Sequence, residues 1–259
     1  LEHSGASLLR QLTLMSFLPS YINLHNTGAL QKRISALTNM LKECRLCPRH
    51  CKVNRLQGEL GFCGAGDKLL LSSAFAHFGE EAPLVGSMGS GTIFLTHCNL
   101  RCIFCQNHDI SHRGQGEAVT SQQMAVDMLA LQQRGCHNIN FVTPSHVVPQ
   151  ILSSVLAAAR NGLSLPLVYN TSGYDSLETL RLLEGVVDIY MPDAKFSNNE
   201  HAERFANAPD YFAVLKEVLL EMQRQVGILK IDENGSADLR MLMRPHVVPS
   251  DLPGVEQVS

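Results

Sequence analysis

The feature that most constrains the fold of this chain is a regular exchange between short apolar stretches and longer amphipathic ones from residue 92 onward. Residues 92–96 and 138–143 are apolar runs of strand length, whereas Met124, Met128 and Leu131 recur at helical spacing between them. Strands separated by helices favour parallel pairing, because the chain must cross the sheet before it starts the next strand. The sequence therefore predicts an α/β fold.

This pattern predicts five strands and four helices. A capping box at residues 120–123 opens the first helix, and Gly135 ends it. Asp175 and Glu178 are expected to cap a short third helix that ends at residue 183. The predicted strands cover residues 92–96, 138–143, 165–170, 186–191 and 239–248, and the other helices cover residues 148–160 and 211–225.

Composition limits the partners and the compartment. The net charge is −3 and no long run of Lys or Arg occurs, so neither nucleic acid nor a membrane surface is expected as a partner. No apolar stretch approaches the ~20 residues of a membrane span. Residues 7–20 lack the clean apolar core and cleavage site of a signal peptide. We therefore expect a cytoplasmic protein whose cysteines serve as thiolates and not as disulfides.

The eight cysteines form two tight groups and one single residue. Thiolates that are close in sequence converge on a metal with little loss of loop entropy, whereas disulfides across such short spans are strained. The clustering therefore predicts two metal sites. Cys136, at a helix-to-strand junction, is expected to be a buried small hydrophobic residue. The groups are Cys44, Cys47, Cys51 and Cys63, and then Cys98, Cys102 and Cys105.

The second group reads CNLRCIFC over residues 98–105. Zinc ribbons normally have paired CxxC units, so a lone trio is a poor zinc site. An iron–sulfur cluster normally takes four thiolates, and three would leave one iron open. An open metal position is a catalytic feature. The alternatives are a structural zinc ion and a plain electron-carrying cluster.

The run GSMGSGTIFLTHCNLRCIFCQN at residues 86–107 resembles the cluster loop of the radical S-adenosylmethionine superfamily, and Phe104 matches its aromatic residue before the last cysteine. The resemblance implies a 4Fe–4S cluster on Cys98, Cys102 and Cys105, with S-adenosylmethionine chelating the open iron. It implies reductive cleavage to methionine and a 5′-deoxyadenosyl radical, the chemistry of an oxidoreductase. It also implies a partial barrel of six βα units, and this chain is expected to stop before the last strand of that barrel.

Polar residues after the later strands resemble those of the glycyl-radical activating enzymes, such as pyruvate formate-lyase activase. Asn170, Thr171 and Gly173 match a stretch that helps to bind a monovalent cation. Asp193 and Lys195 match an Asp-x-Lys near that cation and S-adenosylmethionine. An ordinary ion pair at the end of a strand is the alternative role for this Asp and Lys.

Three further positions are implied by the same resemblance. Arg244 matches an Arg near the methionyl group, although it could equally pair with an acidic side chain, and Asn107 falls where adenine is contacted. The family's Gly-Gly-Glu after the second strand is replaced by residues 142–144, Val-Thr-Pro, so Thr143 or backbone carbonyls are expected to hold the amino group. His97 and His146 are expected to be structural histidines.

The amino-terminal group reads ECRLCPRHCKVNRLQGELGFCG over residues 43–64. Four thiolates can close a site completely, which fits either structural Zn²⁺ or an auxiliary Fe–S cluster. Nearby Arg, His and Lys side chains would stabilise the thiolates. This segment and the cluster loop together resemble a branch of Fe–S proteins that are similar to the activase.

The resemblance sets the expected organisation and function. Residues 1–40 are expected to be a leader or helical segment, residues 41–75 a Cys-rich metal-binding module, and residues 76–259 the incomplete barrel. The implied function is a radical enzyme that uses a flavodoxin- or ferredoxin-type electron donor and acts on an unknown substrate, with a partner protein's glycine as one candidate. The alternatives are an electron-transfer protein and a zinc-binding interaction module without S-adenosylmethionine chemistry.

Overall fold

The computed structural model describes residues 18–227 and 240–245. These residues form an α/β structure around a mostly parallel sheet, in agreement with the predicted fold class. The fifth predicted strand lies partly outside the described residues, at positions 239 and 246–248. Its described part forms two short strands that both pair with the strand before them.

Strands and helices alternate along most of the described chain. The strands are β1 (Leu69–His77), β2 (Ser90–Leu95), β3 (Glu117–Val119), β4 (Ile139–Val142), β5 (Leu167–Thr171), β6 (Ile189–Ala194), β7 (Arg240–Met241) and β8 (Arg244–Pro245). The helices are α1 (Ser20–Asn26), α2 (Ala29–Asn39), α3 (Ala82–Val85), α4 (His108–Ser111), α5 (Ser121–Gln133), α6 (Val148–Arg160), α7 (Leu177–Leu183), α8 (Asn199–Ala206) and α9 (Tyr211–Val226).

The parallel strands follow one another in one direction across the sheet. The strand order is β3-β1-β2-β4-β5-β6-β7, and β8 also pairs with β6. β1 is antiparallel to β2 and β3, whereas each pairing from β2 through β8 is parallel. The carboxyl ends of β2, β4, β5 and β6 therefore meet at one edge of the sheet, where the loops that follow them lie close together.

Local signals in the sequence set several of these elements. The predicted bounds of α6 are confirmed, and the capping box at the start of α5 is present: the Gln123 amide donates to Thr120 Oγ1 and the Thr120 amide donates to Gln123 Oε1. The predicted cap of α7 was wrong. Ser176 is its N-cap, and within the described chain no side chain caps it. The Asp175 carboxylate is instead drawn into a buried cluster of hydroxyl groups.

The pattern did not predict β1, β3, α3, α4 or α8, whereas α1 and α2 lie in the amino-terminal segment that was expected to be a leader or helical. β1 and β3 are mostly half-buried or exposed strands on the antiparallel side of the sheet, so they lack the continuous apolar run of a central strand. Helices α1 and α2 pack their apolar residues onto α6 and α7, in the same hydrophobic cluster as the outer face of the sheet. No helix within residues 18–227 and 240–245 is long and apolar enough to cross a bilayer.

One face of the sheet, which we call the inner face, carries Val168, Ile189 and Met191 and has its own small core. Val168 of β5 and Ile189 and Met191 of β6 pack against Leu84 of α3. These strand residues alternate with outward-facing Tyr169 and Tyr190, as the period of a strand requires. The segment after β1 therefore folds across the inner face and covers part of it.

Candidate functional site

The cysteine loop, residues 96–107, follows the carboxyl end of β2. The amides of Arg101 and Ile103 donate to the carbonyls of Ala206 and Phe205 at the end of α8, at 3.1 and 2.9 Å. These backbone bonds hold the middle of the loop against α8, beside the carboxyl end of β6. The loop thus lies at the sheet edge where the sequence placed the other polar residues.

Cys98, Cys102 and Cys105 pack together with the hydrophobic cluster beneath this loop. The Leu100 amide donates to Cys98 Sγ at 3.3 Å, and Cys105 Sγ lies 3.1 Å from Ser111 Oγ. Cys102 is buried, and the other two are half-buried. The Phe104 ring lies 5.9 Å from the Phe196 ring, so the aromatic residue of the loop packs onto the chain that follows β6.

Burial raises the pKa of the Cys98 thiol to about 12 and that of Cys102 to about 11, and each neighbouring thiol would oppose ionisation further. The charge of Lys195 acts in the opposite direction. Within residues 18–227 and 240–245, no three His, Cys, Asp or Glu side chains already stand as a metal-binding group. The donor chemistry nevertheless fits a thiophilic metal. Buried thiols ionise where positive charge compensates the thiolates, and a bound metal ion would add such charge to that of Lys195.

A chain of ion pairs runs inward from the cysteine loop. Asp193 of β6 accepts from Lys195 Nζ at 2.7 Å and from Arg244 Nε at 2.8 Å. Burial alone would raise the pKa of Asp193, but the two cations lower it overall, and the carboxylate in turn raises the pKa of Lys195 against the effect of burial. The ion pair that the sequence offered as an alternative is therefore present, and it stands next to the thiols of Cys98 and Cys102.

Glu80, which sequence reasoning missed, completes this network. Its carboxylate accepts from Arg244 Nη1 at 2.8 Å and from the side-chain amides of Asn140 and Asn170 at 2.9 and 3.2 Å. Arg244 Nη2 also donates to Asn170 Oδ1 at 2.8 Å. Only 8% of the Glu80 side chain is exposed. We call Glu80, Asp193, Lys195, Arg244 and Asn170 the interior charge network, and its two carboxylates balance its two cations.

The structure separates Thr171 from its predicted neighbour Asn170. Thr171 Oγ1 donates to Asp175 Oδ2 at 2.6 Å and lies 3.1 Å from Ser145 Oγ, in a buried cluster outside the interior charge network. Successive residues of β5 point to opposite faces, which explains the separation. Gly173, with φ of 73°, lies close to the Asp193 carbonyl, where a Cβ would come within 3.1 Å.

Two other predicted ligand positions flank the site. Thr143, after β4, is half-buried with φ of 60°, and its amide donates to the Asn170 carbonyl at 2.8 Å. A β-branched residue in the left-handed region is strained, and such strain is concentrated at functional sites. Asn107 is exposed and precedes α4, where its carbonyl accepts from the Ser111 amide at 2.8 Å.

The amino-terminal cysteines form a second cluster beside the first. Cys44, Cys47, Cys51 and Cys63 line one cavity together with Arg55 and His146. Burial raises the pKa of Cys47 to about 12 and also raises that of Cys63, and the neighbouring thiols add to both shifts. All eight cysteines lie in the described part of the chain, and none forms a disulfide there.

The sequence assigns a structural role to three other residues. Cys136 is 2% exposed within the main hydrophobic cluster. His146 is buried and its Nε2 lies 2.9 Å from the Thr96 carbonyl, while burial lowers its pKa to about 3. Burial and then the charge of Arg101 lower the pKa of His97. Both histidines are therefore biased towards the neutral form.

Comparison with known proteins finds a relative that matches most of this chain. The chain is 34% identical over 207 residues to an uncharacterized protein of Methanocaldococcus jannaschii. The match covers 78% of this chain and 60% of the length of the relative. No protein-family model matches the chain.

Proposed function

We propose that this protein is a radical S-adenosylmethionine enzyme, resembling the glycyl-radical activating enzymes, with its active site at the carboxyl edge of the sheet. The observation that carries the proposal is the position of Cys98, Cys102 and Cys105: three thiols on the loop after β2, beside the buried Asp193–Lys195 pair. When bound in such a site, a reduced 4Fe–4S cluster supplies the electron that splits S-adenosylmethionine into methionine and a 5′-deoxyadenosyl radical.

The sheet order supports the fold that this chemistry requires. β2, β4, β5 and β6 follow one another in space as in sequence, so the parallel strands of the described chain show no reversal of order of the kind that marks a doubly wound fold. One-directional winding is what a partial (β/α) barrel has, and in barrels the active site lies at the carboxyl ends of the strands. The inner face would then be the wall of the active site.

The interior charge network offers groups of both signs to a zwitterionic ligand. We assign the carboxylate of S-adenosylmethionine to Lys195 or Arg244, and its amino group to Asp193, Asn170 or the carbonyls near Thr143. Phe104 and Asn107 would flank the adenosyl part, and Gly173 lets the chain after β5 pack closely against Leu215 and the Asp193 carbonyl. Thr171 holds the loop after β5 through Asp175 and acts on the ligand only by positioning its neighbour.

The remaining assignments follow from the same proposal. The exposed tip of the loop, Ile103, would face a flavodoxin- or ferredoxin-type electron donor in the cytoplasm. The substrate would be a small molecule or the glycine of a partner protein. The amino-terminal cysteine group would hold its own metal.

The test is reductive cleavage of S-adenosylmethionine. The full chain is reconstituted with iron and sulfide without oxygen, reduced with dithionite, and assayed for 5′-deoxyadenosine. We expect product from the wild type and from Cys136→Ala, whose lone thiol lies away from both groups. The variant with Cys98, Cys102 and Cys105 replaced by Ala should give none. Cleavage that persists in this variant, or a fully loaded wild-type cluster that never cleaves, would refute the proposal.

A further inference from the structure

The amino-terminal cysteines are drawn together by a tight backbone knuckle. The Cys44 amide donates to the Val53 carbonyl at 2.9 Å, and the Lys52 amide donates back to the Cys44 carbonyl at 3.0 Å. His50 and Lys52 have positive φ values of 41° and 58°, which turn the chain sharply between these bonds. The knuckle brings Cys44, Cys47 and Cys51 to the cavity that Cys63 reaches from the other side.

Every sulfur in this group accepts a hydrogen bond, and each has a different donor. The donors to Cys51 and Cys63 are the amides of Phe62 and Ala65, each at 3.4 Å. Cys47 is bonded by the backbone of Arg49 and Cys44 by Arg55 Nη1 at 3.9 Å. Donors aimed at sulfur from four directions are the surroundings of metal-bound thiolates, whose negative charge is shared with the metal and the N–H groups.

His146 lines the cavity beside the four sulfurs. Its Nε2 faces the Thr96 carbonyl, which can only accept, so Nε2 carries the proton and Nδ1 is an acceptor. Among the described residues Nδ1 has no hydrogen-bond partner, although His146 is only 1% exposed and lines the cavity. Metal-bound thiolates carry no proton to donate and four of them leave zinc no open position, so His146 stays outside the proposed coordination shell.

The cavity has room for a single metal ion. Its volume is about 10 Å³, which is roughly the space for one water-sized sphere. A single metal ion fits this space. Four thiolates around one tetrahedral Zn²⁺ make a closed structural site. The complex would carry two negative charges, and the buried guanidinium of Arg55 offsets one of them.

We propose that Cys44, Cys47, Cys51 and Cys63 bind a single structural Zn²⁺ ion. This inference does not depend on the proposed reaction, because it concerns only the amino-terminal thiolates. The role of the zinc ion would be to fix the position of Arg49, which lies between Cys47 and Cys51 in the sequence. Arg49 Nε donates to the Asn99 carbonyl at 2.9 Å, inside the cysteine loop, so the zinc site would hold that loop in place.

The test uses the full chain in which Cys98, Cys102 and Cys105 are replaced by Ala, so that only the amino-terminal group and Cys136 retain thiols. The protein is produced with both iron and zinc supplied, and its metals and acid-labile sulfide are measured. We expect about one zinc per chain and no sulfide. A further Cys47→Ala change should remove the zinc, whereas a further Cys136→Ala change should retain it. Iron with sulfide, no metal, or zinc retained after Cys47→Ala would each overturn the proposal.

A thiol titration keeps the test independent of whether Cys47→Ala folds. With Cys136 also replaced by Ala, the four amino-terminal thiols are the only ones left in the chain. An organomercurial is added in steps while a chromophoric chelator reports free zinc. Release that proceeds in step with the reagent and ends at about four equivalents per zinc supports a four-thiolate site. Release that is unrelated to thiol modification contradicts it. S-adenosylmethionine cleavage is not measured, so failure of the proposed reaction would leave this result unchanged.

Discussion

The two cysteine groups lie side by side but present their thiols differently. In the amino-terminal group, four sulfurs enclose a small cavity, each accepts a hydrogen bond, and a buried arginine lies beside them. In the loop after β2, three sulfurs lie at the sheet edge, two of them half-buried, and the interior charge network begins next to them. The first arrangement suits a metal that holds structure, and the second suits a metal that leaves room for a ligand.

Arg49 joins the two regions. Its guanidinium lies 3.7 Å from the centroid of the Phe62 ring and 5.1 Å from that of Tyr174, while Nε bonds the cysteine loop. Asn99 of that loop donates from Nδ2 to the Tyr174 carbonyl at 2.6 Å. We call the amino-terminal cysteines the closed group, and the cysteine loop with the interior charge network and Thr143 the open region. Arg49 contacts both, so loss of structure in the closed group should make the cysteine loop less ordered.

Removing one ligand from each group should give the largest difference. Structural zinc sites contribute much of their binding energy, about 10–16 kcal/mol in small domains, to folding. We therefore expect Cys63→Ala to lower the thermal midpoint by about 10 °C or more, whereas Cys105→Ala should lower it by roughly 3 °C or less. Melting followed by circular dichroism measures both, with Cys136→Ala as the control for loss of a buried thiol. Equal losses at Cys63 and Cys105 would erase the distinction between closed and open groups.

Asp188 tests how firmly the amino-terminal segment is anchored. Its carboxylate accepts from the Ser20 amide, at the start of α1, and from the Leu167 amide of β5, each at 2.8 Å. Burial raises its pKa from 3.8 to about 6, although these two bonds oppose the shift. Between about pH 4 and pH 6 the folded state therefore binds the proton that the unfolded state has lost, so stability falls as pH rises, by about 3 kcal/mol in total.

Urea unfolding of the wild type and of Asp188→Asn from pH 4 to pH 7 measures this contribution. The variant lacks the titrating group, so the wild type should lose stability relative to it across this window. The variant should be less stable at pH 4, because its side-chain NH₂ must face one of the two amide donors. If the free energies of unfolding of the two proteins changed in parallel with pH, Asp188 would have an ordinary pKa. Its carboxylate would then not be buried against the Ser20 and Leu167 amides in solution.

The sequence predicted regular, local parts of the fold and missed contacts that depend on distant segments. The bounds of α6 follow from its apolar face, and the start of α5 follows from its capping box. Glu80 carried no signal, because it follows an antiparallel strand that the pattern did not reveal, and it meets Arg244 across 164 residues. Asp175 looked like a helix cap because its spacing to Glu178 is right. Only the folded chain brings Tyr169 and Thr171 to compete for its carboxylate.

Glu80→Gln tests the open region. The change removes the charge that faces Arg244 and keeps the size of the side chain, but the new NH₂ group must face either Arg244 or the Asn140 and Asn170 amides as donor against donor. We expect a loss of about 2 kcal/mol in the free energy of unfolding, since a partly buried guanidinium loses a charged partner. If the proposed function holds, binding of S-adenosylmethionine should also weaken severalfold. Urea unfolding and equilibrium dialysis measure these effects, with exposed Glu203→Gln as the matched control. A response equal to that of the control would remove Glu80 from the site.

Thr143→Gly should have the smallest effect and the most telling sign. Thr143 holds a positive φ of 60° in the open region, and glycine adopts this conformation without a Cβ clash. Relief of strain should outweigh the added freedom of the unfolded chain and stabilise the protein by about 1 kcal/mol or less. Lys52→Gly, at φ of 58° in the closed group, relieves strain of the same kind. If backbone strain serves ligand binding only in the open region, Thr143→Gly should be more stable but cleave S-adenosylmethionine more slowly. Lys52→Gly should also be more stable, with an unchanged rate of cleavage. A Thr143→Gly enzyme with undiminished cleavage would show that its strained backbone has no part in the reaction.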